Sequence, residues 1–198
     1  MARGERVVTP IPLKPAFNRQ VEKRNHEVNA VIGNFAPSLY DTEERFAAIL
    51  MSNIIGGPAS NSLLNSLLRE KNGWVYGVES SYSQYTESGI MTISLGCERG
   101  NLEKCLDAIW KVIRKMQNEE YSSVRLKAAK KQILGQLAIS SDNGEAQCLS
   151  MGKSLMSLGS IFTDRQNREA IEAVTSEDIR DAAVRIFNPE STSSLIFL

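Results

Sequence analysis

The sequence predicts a two-layer α+β domain, in which helices pack on one face of a mainly antiparallel sheet. A mostly apolar run from Val28 to Ala36 predicts a buried strand. A period-two pattern on both sides of residues 87–89 predicts an antiparallel hairpin, and amphipathic helices fill most of the remaining chain. This order of strand, helices, hairpin, helices and strand differs from a regular βαβ alternation and from a helical bundle.

The composition is that of an ordinary globular protein. Hydrophobic residues make up 42% and charged residues 23% of the 198 residues, and the formal net charge is zero. No positive field is therefore available to hold nucleic acid or an anionic membrane. No apolar run reaches the length of about 18 residues that a membrane span needs. We expect a soluble protein, either cytoplasmic or periplasmic.

The chain divides into two parts. Residues 1–26 contain three of the six prolines and a mixed-charge stretch, which predicts an extended lead-in or interdomain linker. Residues 27–198 are predicted to form one domain. Its last residues, 195–198, are apolar and predict a short strand at or inside the sheet.

Helix ends are marked by capping and breaking residues. Asp41 with Glu44 predicts the start of a helix that Gly56 and Gly57 end. A leucine-rich helix follows and ends near Gly73, and further helices are predicted over residues 101–116, 122–139 and 145–158. The last helix is predicted to start with a capping box and a hydrophobic staple, formed by Thr175 with Asp178 and by Val174 with Ile179.

Three cysteines and a single histidine could support independent chemistry. Cys97 and Cys105 fall on apolar faces of a strand and a helix, which predicts burial, and we expect the same of Cys148. A thiol enzyme served by His26 is an alternative hypothesis, although the polar surroundings of His26 favour a solvated side chain. One imidazole excludes a zinc site that needs two. We therefore predict no catalytic residue and no metal site in this chain.

The segment from Gly56 to Val78 contains the strongest candidate for a binding site. Its helix ends with Arg69, the chain reverses at Gly73, and the next strand carries Tyr76 near its start, so both side chains can converge on one rim of the sheet. Trp74, Tyr76, Val78 and Tyr82 are predicted to share one side of that strand. A guanidinium donates a forked pair of hydrogen bonds and a phenol a single one, which suits a peptide carbonyl or carboxylate. The alternative is an arginine that stabilises the helix dipole and a half-buried tyrosine.

This segment resembles the motif of the C-terminal, non-metal half of the M16 peptidases, the insulinase, pitrilysin and mitochondrial-processing-peptidase family. The matching pattern is Ser62-x-Leu64-x-x-x-Leu68-Arg69-Glu70-Lys71-x-Gly73-x-x-Tyr76. The glycine pair before it and the helix over residues 101–116 also occupy the family's positions. The resemblance extends from about Val28 onward. Leu63 and Trp74 depart from the residues common in the family, and both changes bear on substrate preference.

The resemblance implies a LuxS/MPP-like metallohydrolase fold and a role in peptide cleavage. Arg69 and Tyr76 would bind the substrate peptide, while zinc would belong to a partner half that carries H-x-x-E-H, a motif this sequence lacks. The chain alone would hold no cofactor and would be inactive. Its partner half would lie in the same polypeptide, about twice as long, or in a separate subunit. The alternative is a structural or interaction domain of the same fold without a peptidase role.

Overall fold

The computed structural model describes residues 15–23 and 26–198, and the predicted two-layer α+β architecture is confirmed there. In the described part of the chain, five strands form one sheet in the order β1-β5-β2-β4-β3. β1 runs parallel to β5, and every other neighbouring pair is antiparallel. The strands are β1 (Asn18–Val21), β2 (Glu27–Ala36), β3 (Val75–Gln84), β4 (Gly89–Glu98) and β5 (Ser193–Phe197).

The helices follow the predicted order, and α5 is an addition. The leucine-rich segment between α1 and β3 forms a π-helical turn, Asn65–Lys71, and a 3₁₀ turn, Arg99–Asn101, leads into α2. The α-helices are α1 (Thr42–Gly56), α2 (Leu102–Asn118), α3 (Ser123–Ser141), α4 (Gly144–Leu158), α5 (Asp164–Ala173) and α6 (Ser176–Ile186). None of the helices in the described part of the chain combines the length and the apolar character needed to cross a bilayer.

The core lies between one face of the sheet and the helices. Val28, Ala30 and Ile32 alternate on the buried face of β2, because successive side chains of a strand point to opposite faces. Helix α1 packs against β3 and α6, and α6 packs against α2 and β2. On the opposite face of β2, Asn29 and Val31 are exposed. The structure therefore has helices on one face of the sheet, as predicted.

The start of α6 matches the sequence prediction in detail. The backbone N–H of Asp178 donates to Thr175 Oγ1 at 3.1 Å, and the backbone N–H of Thr175 donates to Asp178 Oδ2 at 2.7 Å. Two N–H groups that have no partner inside the helix are thereby satisfied. Val174 and Ile179, the predicted staple, are 5% and 1% exposed. This cap fixes the point where the chain enters the core.

The predicted start of α1 at Asp41 is confirmed, but the predicted side-chain cap is wrong. Asp41 occupies the N-cap position, but its side chain makes no capping hydrogen bond. Its Oδ2 instead accepts from the backbone N–H of Ser38 at 2.7 Å. An Asp side chain can satisfy a nearby backbone group before the helix as easily as one inside it. The Asp41 carboxylate therefore accepts a hydrogen bond within the turn at residues 38–41 and does not cap the helix.

Two elements were not predicted. α5 begins with a second capping box, in which Thr163 and Gln166 hydrogen-bond reciprocally. β1 lies in the stretch predicted as a lead-in, where its register with β5 pairs Arg19 with Leu195. Residues 1–14 and 24–25 of that stretch lie outside the described residues. The strand escaped prediction because it has four residues and three of them are exposed, so no period-two pattern is visible.

Candidate functional site

The chain reverses direction between the π-helical turn and β3. The backbone N–H of Gly73 donates to the Arg69 carbonyl at 3.0 Å, and that of Trp74 donates to the Leu68 carbonyl at 2.8 Å. Gly73 has a φ of 61°, a conformation that glycine adopts without the steric cost that a Cβ brings. The predicted helix stop is therefore confirmed. π-helical turns are rare and frequently occur at functional sites.

The π-helical turn is fixed from beneath by leucines. Leu64 and Leu68 are fully buried in the core. The Asn72 side-chain amide donates to the Leu67 carbonyl at 2.7 Å, which satisfies one of the free carbonyls at the end of the turn. Because Leu64 and Leu68 bury one side of the turn, Arg69 lies on the other side and is exposed. Within the described residues, the Arg69 guanidinium has no hydrogen bond or salt bridge.

Tyr76 lies on a β-bulge at the start of β3. Val75 pairs with Cys97 and Gly77 pairs with Gly96, so Tyr76 is an extra residue with no partner on β4. The prediction that Tyr76 shares a side with Val78 and Tyr82 is wrong. The bulge shifts the alternation by one residue, and Val75 turns into the core at 7% exposure while Tyr76 is 57% exposed. Bulges commonly redirect a side chain in this way next to functional sites.

Two carboxylates influence the Tyr76 hydroxyl through their charge. Glu27 and Glu98 lie directly opposite each other on β2 and β4. The pKa of Tyr76 is raised, first by desolvation of the hydroxyl and then by the negative charges of Glu98 and Glu27. The phenol therefore stays neutral and can donate a hydrogen bond across the physiological pH range. Neither glutamate was singled out from the sequence, although a strand register would have placed them together.

The two predicted site residues flank the same reversal. Arg69 precedes Gly73 in the π-helical turn, Tyr76 follows it on the bulge, and both side chains are exposed. No hydrogen bond joins the two among the described residues. Their role in substrate binding stays a prediction. The geometry gives two donors, one charged and one neutral, at one end of β3.

The cysteines divide into a buried pair and an exposed one. Cys97 and Cys105 are buried, as predicted, whereas Cys148 is exposed, so the expected burial of Cys148 is wrong. Desolvation raises the pKa of Cys97 and raises that of Cys105 to about 12. A thiol nucleophile needs a lowered pKa and access to solvent, which neither buried thiol has. His26 is exposed.

The residues needed for a metal centre do not come together in the part of the chain described. No group of three or more His, Cys, Asp or Glu side chains is placed to hold a metal ion there. A catalytic zinc ion usually takes three protein ligands. The residues described therefore do not fit a zinc ion.

The fold is that of a two-layer α+β domain, and comparison with known proteins identifies the family. The family model described as the peptidase M16 inactive domain matches residues 4–133. The chain belongs to the peptidase M16 family, as an inactive C-terminal domain. The resemblance seen in the sequence is thereby confirmed.

Relatives and solved structures agree with this assignment. The chain is 27% identical over 186 residues to the uncharacterized zinc protease YmxG of Bacillus subtilis, covering 92% of this chain and 45% of the relative. It is 26% identical to an uncharacterized zinc protease of Rickettsia bellii, covering 89% and 42%. The chain therefore spans less than half the length of these relatives.

The fold is shared with solved structures at low sequence identity. The peptidase M16 inactive domain of Pseudomonas fluorescens superposes with a TM-score of 0.83 at 18% identity, covering 96% of this chain and 45% of that one. A chain of complex III₂ from Candida albicans superposes with a TM-score of 0.77 at 14% identity, covering 92% and 45%.

Proposed function

We propose that this chain is the substrate-binding, non-catalytic half of an M16-type zinc-dependent endopeptidase, completing the active-site chamber of a zinc-bearing half. The observation that carries the proposal is the pair of exposed donors, Arg69 and Tyr76, on either side of the Gly73 reversal. Family membership supports it, because relatives over twice this length are named zinc proteases. The ligand would be a peptide, and zinc would belong to the partner half.

The chemistry of the two donors suits a peptide backbone. An exposed Arg69 without an acidic partner among the described residues can donate two parallel hydrogen bonds to a carbonyl or carboxylate. Tyr76, kept neutral by its raised pKa, adds a single donor. Both come from rigid supports, since Leu68 is fully buried beneath Arg69 and the bulge is held by the pairs of Val75 and Gly77 with β4. This chain would contribute binding and positioning, and no proton or metal chemistry.

The test is the activity of the protein assembled with its zinc-bearing half on a fluorogenic peptide. Arg69→Ala removes a charge-assisted hydrogen bond worth about 1.5 to 3 kcal/mol, so kcat/KM should fall about ten- to a hundredfold. Arg69→Lys should not restore it, because an ammonium cannot reproduce the fork. Tyr76→Phe should cost less. Arg114→Ala, an exposed arginine on α2, is the control and should leave kcat/KM unchanged.

The same variants must keep their fold for the test to bear on binding. Arg69 and Tyr76 are exposed, and surface substitutions usually change stability by less than about 0.5 kcal/mol. If Arg69→Ala and Tyr76→Phe both unfold readily while the folded fraction keeps full activity, the pair is structural and the proposal fails.

A second candidate is a structural or interaction domain without a peptidase role. It is favoured by the fold shared with a chain of complex III₂ from Candida albicans. A zinc-bearing H-x-x-E-H half encoded in the same reading frame or an adjacent one argues for the peptidase function. If such a half is present but its mixture with this chain cleaves no peptide, the structural function is favoured.

A further inference from the structure

A cleft of about 630 Å³ opens between α1, α3, α4 and α5, away from the rim that carries Arg69 and Tyr76. Its volume is within the range of about 300 to 1,000 Å³ that is typical of small-molecule sites. The walls combine apolar side chains, including Ile49, Leu134 and Leu137, with several serines. The cleft therefore has both apolar wall segments and many polar side chains.

Arg45 lines this cleft and is 5% exposed. Its Nη1 donates to the Leu39 carbonyl at 2.9 Å, whereas its buried Nε has no hydrogen-bond partner. Buried polar groups are nearly always satisfied, and an isolated buried charge is costly. An N–H group left without an acceptor in a buried cation indicates that an acceptor is missing.

No carboxylate among the described residues forms a salt bridge with Arg45. Two acidic residues close to it in sequence are engaged elsewhere, since Glu44 pairs with Arg185 and Asp41 accepts from the Ser38 backbone. The hydroxyl of Tyr82 donates to the Pro37 carbonyl at 2.5 Å, and burial raises its pKa, so it brings no negative charge. Among the described residues, no ion pair therefore neutralises the charge of Arg45.

Aromatic rings hold the guanidinium in place. The Phe46 and Phe162 ring centroids lie 4.7 and 5.0 Å from Arg45 Cζ. Cation–π contacts stabilise a guanidinium partly, but they provide no hydrogen-bond acceptor. Lys153 and Arg168 also line the cleft, whereas Asp164 is the one acidic residue among the described residues of its lining. The charge of the cleft is thus net positive.

We propose that this cleft binds a small amphipathic carboxylate, an acid with an unbranched apolar tail. The carboxylate would accept hydrogen bonds from Arg45, and the tail would lie against Ile49, Leu134 and Leu137. Arginine is suited to this because its planar fork matches a carboxylate. Phe162 lies in the short connection between α4 and α5. The inference does not depend on the function of the Arg69 and Tyr76 rim.

The test compares decanoate with 1-decanol, two probes that share a tail and differ in charge. Isothermal titration calorimetry on the purified protein at pH 8 should give an affinity for decanoate at least about tenfold above that for decanol, as a charge-assisted hydrogen bond implies. Arg45→Met keeps the length and apolar stem of the side chain, and it should remove this preference. Arg114→Met, on the exposed face of α2, should keep it.

A second variant locates the binding without altering the charge. Ser150 is exposed on α4 and lines the cleft, so Ser150→Trp should narrow the cleft and weaken decanoate at least about tenfold while leaving Arg45 in place. This variant gives the answer even if Arg45→Met fails to fold. Equal binding of acid and alcohol by the unaltered protein, an unchanged preference in a folded Arg45→Met, or full decanoate binding by a folded Ser150→Trp would each overturn the proposal.

Discussion

Helices α2 and α4 have similar lengths, 17 and 15 residues, but they bury very different surfaces. Six residues of α2 are buried, among them Cys105 and Ile109, whereas no residue of α4 is buried. α2 belongs to an inner layer, which we define as the sheet with α1, α2 and α6. α4 belongs to an outer layer of α3, α4 and α5. Because apolar burial is the dominant favourable term in folding, stability is concentrated in the inner layer.

Among the described residues, the outer layer contributes only three buried apolar side chains to the core, Leu126, Ile133 and Ile171, and is also joined by hydrogen bonds. Tyr40 Oη donates to the Ser157 carbonyl at 2.8 Å and Asn53 Nδ2 to Gln136 Oε1 at 2.9 Å, while within the outer layer Lys130 Nζ donates to the Glu172 carbonyl at 2.7 Å. Each such bond contributes a net of only about 0.5 to 1.5 kcal/mol, or somewhat more where a charge takes part. We therefore expect the outer layer to open locally before the inner layer does.

The largest expected difference between the layers is in the reactivity of their cysteines. Cys105 on α2 is buried and has a pKa raised to about 12, whereas Cys148 on α4 is exposed. Iodoacetamide at pH 8 should label Cys148 at least about a thousandfold faster, because the buried thiol reacts only when the inner layer opens. Cys97 should resemble Cys105. Peptide mass mapping over time measures the rates, and fast labelling of Cys105 in the folded protein would contradict the layered description.

Truncation of one apolar side chain in each helix should separate the layers by stability. Ile109 on α2 is fully buried, so Ile109→Ala should destabilise the protein by about 2 to 5 kcal/mol through lost contacts and a cavity. Leu149 on α4 is 60% exposed, and Leu149→Ala should change stability by less than about 0.5 kcal/mol. Urea unfolding followed by circular dichroism measures both. Similar losses in the two variants would mean that α4 has a partner surface in solution.

Apart from β1, the inner layer could be predicted from the sequence because its signals are local and strong. The apolar face of α2, the alternation along β4 and the Thr175–Asp178 box each specify one element and one buried face. α5 was missed because it has a single buried residue, Ile171, and so presents no apolar stripe. In the outer layer, α3 and α4 were predictable as helical segments, whereas their packing was not.

The candidate sites show where local pattern fails. Arg69, Gly73 and Tyr76 were found through spacing, but the exposure of Tyr76 depends on a bulge set by the pairing of Val75 and Gly77 with β4. Pairing across strands is a tertiary property that alternation along one strand does not contain. Arg45 was not singled out, because an arginine beside Asp41 and Glu44 at a helix start is typical of an exposed residue. Its burial follows from the packing of Phe46 and Phe162 against it.

Two glycines should respond in opposite directions to the same substitution. Gly73 has a φ of 61° and Gly152 lies within α4, and a Cβ built on either meets no atom within 4 Å. Gly73→Ala should therefore cost about 1 to 2 kcal/mol from conformation alone. Gly152→Ala should stabilise by about 0.4 to 1 kcal/mol, since alanine favours a helix and restricts the unfolded chain. Thermal unfolding measures both, and stabilisation by Gly73→Ala would show that the reversal tolerates another conformation.

The smallest expected effect compares the two capping boxes. Thr175→Ala at α6 and Thr163→Ala at α5 remove the same kind of side-chain hydrogen bond, to Asp178 N at 3.1 Å and to Gln166 N at 3.2 Å. Each loss should cost its helix about 1 kcal/mol. Because α6 packs in the inner layer, the cost of Thr175→Ala should appear in global unfolding. α5 is in the outer layer, so Thr163→Ala should mainly speed amide exchange within residues 164–173, with global stability nearly unchanged.

Hydrogen exchange followed by mass spectrometry, combined with urea unfolding of the same two variants, tests this last comparison. Exchange in α5 should accelerate about fivefold in Thr163→Ala, the factor that corresponds to about 1 kcal/mol of local opening. The buried amides of α2 should be unaffected in that variant and should accelerate in Thr175→Ala, because they open only with the inner layer. If Thr163→Ala lowers global stability as much as Thr175→Ala does, α5 unfolds together with the sheet. The division into an inner and an outer layer is then wrong.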